Sequence, residues 1–477
     1  MGYKQKVLLI LLVVSCFITE SFGQKRSKKT PKNQEIQVPH REYNTLEEAL
    51  LNRKNVFILN LENQKLSTIP EEIEKLPNLQ VLKLGYNQID ILPEALFKLK
   101  NLQVLHLNNN KLTTIPAGIG NLVNLSILKL QENKLNSIPK EIGSLAKLEI
   151  LHCGENQLTK IPGTIGNCKE LKSIDFFNNQ LESLPPEIGE WKEAVLLDLN
   201  WNRLNSLPEE LCQLTKLETL RIEKNKIQHL PLEIGNLNNI SELKITDNQL
   251  VDLPESFGKL IKLSELHLTR NQLIGLPNSI GNLTNVKVLD VSLNHLETIP
   301  ESIMNMQKLE ELYLNNNKIS EIVGETFNLS ELRSLNLSMN RIVRFECIMH
   351  KCKQLESIDL EMNKLNIFPY CVTNVISLIY LNLSKNQLTD IPKTILKLEN
   401  IKQLLLGENQ IVTLPLNLYQ LGSLEVLDLS HNKLQIIPLN FSESKSLRFM
   451  DVRVNSFYKW HLKQIKDRIL VKELLVD

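Results

Sequence analysis

The chain has 477 residues, with 55 Lys and Arg against 54 Asp and Glu, for a net charge of +1. That balance supplies no global field to draw in nucleic acid or a membrane surface. A single compact core rarely grows past roughly 250–300 residues, so several domains or a repeat array are expected. Leu, Ile and Asn dominate while aromatics make up only 5%, which favours the array.

The chain opens with Lys4 and Lys6 before an uncharged apolar run from Val7 to Val14. Ser21 and Gly23 are small residues two apart, followed by Gln24. This predicts a signal peptide over residues 1–23, cleaved after Gly23, and hence a secreted or cell-envelope protein. The apolar stretch of about 12 residues is shorter than the about 20 that span a bilayer, and no other segment is a transmembrane candidate. A second reading competes. Val13-Val14-Ser15-Cys16 resembles the lipobox of bacterial lipoproteins, with Cys16 as the lipid anchor, although Phe17 and Ile18 carry the apolar run past the cysteine. Residues 24–43 hold Lys25, Arg26, Lys28, Lys29, Lys32, Pro31 and Pro39. They are expected to form a flexible basic linker, either a solvated tether or a contact for acidic lipid or polysaccharide. Residues 1–34 carry seven bases and one acid, so the remainder has 48 bases against 53 acids, or −5.

Thr45-Leu46-Glu47-Glu48 is a capping box. With Leu46, Ala49 and Leu50 on one face, it predicts a capping helix over 45–53 within an N-terminal cap spanning 44–55.

From residue 56 to 456 the chain repeats. In Leu79-x-x-Leu82-x-Leu84-x-x-Asn87-x-Ile89 the Asn returns every 23 residues without a slip. The series is Asn87, Asn110, Asn133, Asn156, Asn179, Asn202, Asn225, Asn248, Asn271, Asn294, Asn317, Asn340, Asn363, Asn386, Asn409, Asn432 and Asn455. Gln64 takes the slot one period earlier, making 18 units. Leu82-Lys83-Leu84 alternates with period two, so each unit has a short strand with one buried face, and all strands run the same way. The Asn follows the strand where the chain turns inward. Its amide both donates and accepts, suiting an internal ladder between neighbouring turns. A Pro stands six residues after the Asn slot in 15 units, from Pro70 to Pro438, fixing φ where a donor has no partner. Ile73 and Leu76, three apart, suit a helical or 3₁₀ turn on the back of the coil. No unit can bury these columns alone; stacked units can.

These residues carry a resemblance. Leu125-Ser-Ile-Leu128-Lys-Leu130-Gln-Glu-Asn133-Lys-Leu135, followed by Ile138-Pro139-Lys-Glu-Ile142-Gly143, is similar to the 23-residue class of leucine-rich repeats. The likeness is greatest to the regular bacterial forms and to the Ras-group and disease-resistance-like repeats. It implies an α/β repeat solenoid, a horseshoe or superhelix with a concave parallel sheet of about 18 strands that binds protein. The class is united by shape, not chemistry.

The array is uneven. Gly stands ten residues after the Asn slot at 120, 143, 166, 189, 235, 258 and 281, and never later. The Pro slot holds Val323 and then Glu346, and Thr326 replaces an apolar residue. Residues 318–372 therefore break the back-side pattern, by drift or as a change of curvature or a convex contact surface. Beyond the last Asn, Trp460, Ile465, Ile469 and the mostly apolar Leu470 to Val476 predict a helical C-terminal cap over 457–477, ending in an edge strand.

Catalytic motifs are missing: there is no Walker loop, HExxH or GxSxG. No enzyme activity, cofactor or metal is expected. His106, His152 and His267 share a column but lie whole repeats apart, and are read as solvent-exposed surface histidines. Cys153, Cys168, Cys212 and Cys352 replace small or core residues and are read as free thiols. Cys347 and Cys371 lie on adjacent repeats in the irregular zone, as a disulfide or as two separate thiols.

The outward strand column is basic early, at Lys83, His106, Lys129 and His152. It is mixed at Asp175, Asp198, Arg221 and Tyr313 and acidic near its end. With the aromatics Tyr86, Phe177 and Trp201 beside it, this face is the expected site for a protein partner, Phe177 and Trp201 forming a pair on adjacent rungs. The alternative is a structural or adhesive envelope component that binds polysaccharide or matrix.

Overall fold

A computed structural model describes residues 41–324, 327–469 and 471–477. The expected leader, the Cys16 anchor, the basic cluster and Thr326 lie outside the described residues. Within Glu42–Asp477 the chain is a continuous solenoid. No helix among the described residues is long and apolar enough to cross a membrane.

Eighteen three-residue strands, from Ile58–Asn60 to Phe449–Asp451, lie side by side in one parallel sheet. Each pairs with the next in a 23-residue register, as in Leu82↔Leu105 and Leu197↔Leu220. The period-two alternation explains the burial. The central residue and the one two positions on, such as Leu82 and Leu84, are fully buried, and the residue between them faces out. Two further strands make the sheet 20-stranded, and both belong to the caps. Glu42–Tyr43 pairs with Ile58–Asn60, so these two residues are part of the sheet and not of the linker expected to reach 43. At the far end Glu473–Leu475 pairs with Phe449–Asp451.

Cap helix Leu46–Leu51 starts at Thr45, whose Oγ1 accepts from Glu48 N at 3.2 Å. Gln64, standing in the first Asn slot, donates through Nε2 to Asn44 O at 2.6 Å and so ties the cap to the array. The C-terminal helix Lys459–Arg468 buries Ile465 against the last repeat. His461, in the final Pro slot, accepts from Ile437 N through Nε2 at 2.9 Å.

The Pro slot decides the convex side. Each of its fifteen prolines precedes a 3₁₀ turn such as Lys140–Ser144 or Ile234–Asn236. Pro fixes φ near −65° and offers no N–H to a ladder, so the chain coils instead of pairing. Where Val323 and Glu346 stand, the donor and the free φ return. There Glu321–Gly324 and Arg344–Cys347 form a two-stranded parallel sheet, with Val323 opposite Glu346. Its inward residues, Ile322 and Phe345, are buried, and Phe345 stacks on Phe327 at 6.4 Å. The irregular zone is thus a local change of secondary structure. The glycine column reflects close stacking of 3₁₀ turns: a Cβ on Gly235 would sit 2.0 Å from Ser256 O, and on Gly281 2.1 Å from Ser302 O. Cys212, in the same column, is buried.

Candidate binding face

The face is built on the asparagine ladder. Asn225 Oδ1 accepts from Leu204 N at 3.0 Å, while Nδ2 donates to Leu199 O at 3.0 Å and Ile222 O at 3.1 Å. Its amide thus satisfies its own turn and the preceding repeat. The same bonds recur from Asn87 to Asn455.

The ladder holds a backbone feature that periodicity does not reveal. The residue before each Asn is left-handed, with φ between +50° and +58° in all eighteen units, and none is glycine. Left-handed backbone costs a non-glycine residue on the order of 1 kcal/mol, so the ladder must outweigh it at every rung. The side chains of these residues form a second column beside the strand column. Tyr86 (58% exposed), Trp201 (49%), Leu293, Met339, Met362 and Val454 are its large apolar members.

Many acids and amides of the strand column have a local task. Asp175 Oδ1 accepts from Phe177 N at 2.8 Å, Asp198 from Asn200 N at 3.0 Å, Asp359 from Glu361 N at 2.9 Å and Asp428 from Ser430 N at 2.9 Å. These carboxylates close the turn after the strand as Asx turns do. Burial pushes Asp175 and Asp359 up to about 6. The two groups titrate lower when unfolded, so the stability linked to them is present below pH 3.8 and lost as pH rises through 6. Asp175→Asn with Asp359→Asn keeps an Oδ1 acceptor for each turn. The pair is expected to raise stability at pH 7.5 by up to about 3 kcal/mol for each group, since each titrates roughly two pH units higher when folded, with the gain vanishing near pH 4. Denaturation midpoints across that range check it; a gain that persists at pH 4 would refute the linkage.

The basic end differs from expectation. Like His267 further along the column, His106 and His152 are half-buried, not solvent-exposed. Burial, then the charge of Lys129, lowers both to about 4, so they are neutral near pH 7. His152 Nε2 meets Ser173 Oγ at 2.9 Å. Lys83 pairs with Glu42 of the cap strand at 3.3 Å. In the middle, Arg221 bridges Asp198 (3.3 Å) and Glu242 (3.0 Å) across three rungs. Tyr313 Oη donates to Glu311 Oε2 at 2.7 Å.

Phe177 and Trp201 lie on neighbouring rungs but in different columns. The sheet register places Asp175 opposite Asp198, hence Phe177 opposite Asn200, and Trp201 lies level with Asn178. Phe177 is half-buried. Trp201 stands out from the left-handed column with Lys224 Nζ 3.5 Å from its ring centroid. Among the described residues no group of three or more His, Cys, Asp or Glu could hold a metal ion. The arrangement offers shape, charge and aromatic area.

The leucine-rich repeat region family model matches residues 55–152 and 243–371. A model of two leucine-rich repeats matches 146–187, and a single-repeat model matches 377–398 and 423–444. No curated protein matches the sequence. Among solved structures, a leucine-rich-repeat protein of Leptospira interrogans is 33% identical over 92% of this chain and 100% of its own, with a TM-score of 0.55. The Arabidopsis receptor kinase HAESA, solved with the peptide hormone IDA and the co-receptor SERK1, is 27% identical over 85% of this chain and 75% of its own, at 0.57. YopM from Yersinia enterocolitica is 24% identical over 89% of this chain and 82% of its own, at 0.55, a likeness of fold.

Proposed function

The chain belongs to the leucine-rich-repeat family, and we propose that it is an exported, non-catalytic recognition module whose concave face binds a protein or peptide partner. Repeats of this class are interaction scaffolds, and HAESA was solved with a peptide hormone and a co-receptor protein. The observation that carries the reading is Trp201. A large ring held half out of water on a left-handed residue adds little to folding, whereas its burial against a partner contributes about 2 kcal/mol or more. Phe177, Asp175 and the Asp198–Arg221–Glu242 bridge lie on its own rung and the nearest ones, with Tyr86, Lys83, His106, Lys129 and His152 on the earlier rungs and Tyr313 further on. The leader over 1–23 is the route of export, with Cys16 acylation as its lipid-anchored variant.

The test uses a partner recovered with the mature chain as bait and then purified. Phe177→Ala with Trp201→Ala is expected to weaken its binding at least about tenfold while leaving the melting temperature nearly unchanged. A double variant that melts early would make these rings part of the core, and one that binds normally would move the site elsewhere. N-terminal sequencing of the protein from its host should begin at Gln24, or at acylated Cys16. An unprocessed Met1 form would overturn the export reading.

A further inference from the structure

Two sulfurs meet where the convex side changes its structure. Cys347 ends the convex strand Arg344–Cys347, and Cys371 lies in the 3₁₀ turn Tyr370–Asn374 of the next repeat. Glu346 in the Pro slot lets the first segment run extended, and Pro369 restores the coil in the second. The change of conformation between two rungs brings the thiols together: their sulfurs are 3.2 Å apart. Cys168 and Cys352 instead donate to the carbonyls of Ile142 (3.3 Å) and Phe327 (3.1 Å) and are buried. Cys153 and Cys212 are also buried. Cys347 and Cys371 are only partly buried, so a small reagent can reach them.

The pair is asymmetric. The contact with the Cys347 thiol, helped by backbone N–H groups of Cys347, Cys371 and Val372 and opposed by burial, holds Cys371 below the ordinary thiol range. The same contact and burial push Cys347 up. Either sulfur, once a thiolate, can open a thiol–disulfide exchange with the other 3.2 Å away as the resolving thiol.

We propose that Cys347 and Cys371 form a redox clasp, joined by a small-molecule disulfide, that locks the two-stranded convex sheet to the regular turn after it. The Cys371 thiolate attacks one sulfur of the reagent, and the first small thiolate leaves. Cys347 loses its proton and attacks Cys371 Sγ, breaking the mixed disulfide and releasing the second small thiolate. Two protein thiols become one disulfide, and one small disulfide becomes two small thiols. The bond closes a loop between residues 24 apart in sequence and suppresses local opening of a segment without its own 3₁₀ scaffold.

The full chain is incubated with oxidised or reduced glutathione, free thiols are alkylated, and peptides are mapped without reduction. The expected result is a Cys347–Cys371 linked peptide after oxidised glutathione only, with the other four described cysteines still reduced. Backbone hydrogen exchange across residues 344–375 should slow at least about tenfold on oxidation in the native chain and be unaffected in Cys371→Ser. Cys347→Ser replaces that control if Cys371→Ser does not fold. Both thiols still alkylated, a reaction that stops at the glutathione adduct, a linked peptide carrying Cys352 instead, or a linked peptide with unchanged exchange would each overturn the clasp.

Discussion

Asn225→Ala is expected to destabilise the array by about 3 kcal/mol or more, although the residue touches neither surface. The substitution removes the acceptor for Leu204 N and the donor to Leu199 O and Ile222 O. Each buried group left without a partner costs about 1–3 kcal/mol, and the space Ala leaves offers no side chain to replace them. A second effect adds to this. Lys224, immediately before it, sits at φ +53°, a strain the asparagine bonds help to hold. Chemical denaturation should show the loss, and hydrogen exchange should localise it to repeats on either side of residue 225, since each unit leans only on its neighbours. An unchanged midpoint together with unchanged exchange would mean that the amide is not a structural tie.

Leu220→Ala is expected to cost about 2–5 kcal/mol. Leu220 is fully buried, opposite Leu197 on one side and Leu243 on the other. In a solenoid a cavity opened at one rung cannot be filled from elsewhere in the core, because no distant element can collapse onto it. The matched control is Trp201→Ala on an adjacent unit, which removes more carbon but from a half-exposed ring. If the leucine variant melts like the tryptophan variant, inward and outward columns have been exchanged.

These two positions and Trp201 also mark how far the sequence carries. Leu220 and Asn225 are legible because both belong to a pattern that returns every 23 residues, and a pattern without a slip admits one stacking register. The aromatic pair was only half legible. Spacing puts Phe177 and Trp201 on adjacent rungs, but which column each occupies depends on the left-handed turn before the Asn. A non-glycine residue there carries no compositional mark: Trp, Lys, Met, Glu and His all occupy the slot. The histidines show the same limit, since an outward position in a strand suggested water. Stacking in register puts Lys129 between His106 and His152 and leaves both rings half-buried among the neighbouring rungs. The acidic trend of the column was visible as charge, yet its use in closing turns at Asp175, Asp198 and Asp359 is not.

The amino-acid sequence alone therefore determined the repeat length, the parallel sheet, the buried leucine columns and the place of the amide ladder. Each follows from local alternation and one exact translation along the chain, which needs no knowledge of distant neighbours. Tertiary structure alone decided the rest. It recruited Glu42–Tyr43 and Glu473–Leu475 as closing strands, because raw sheet edges must pair. It paired two convex strands where Pro was lost, because two consecutive rungs without Pro can each find a partner in the other. It brought Cys347 to Cys371, because an extended rung beside a coiled one displaces the chain toward its neighbour. These outcomes depend on what the next repeat presents and on how much water is excluded between rungs, and both exist only once the coil is stacked.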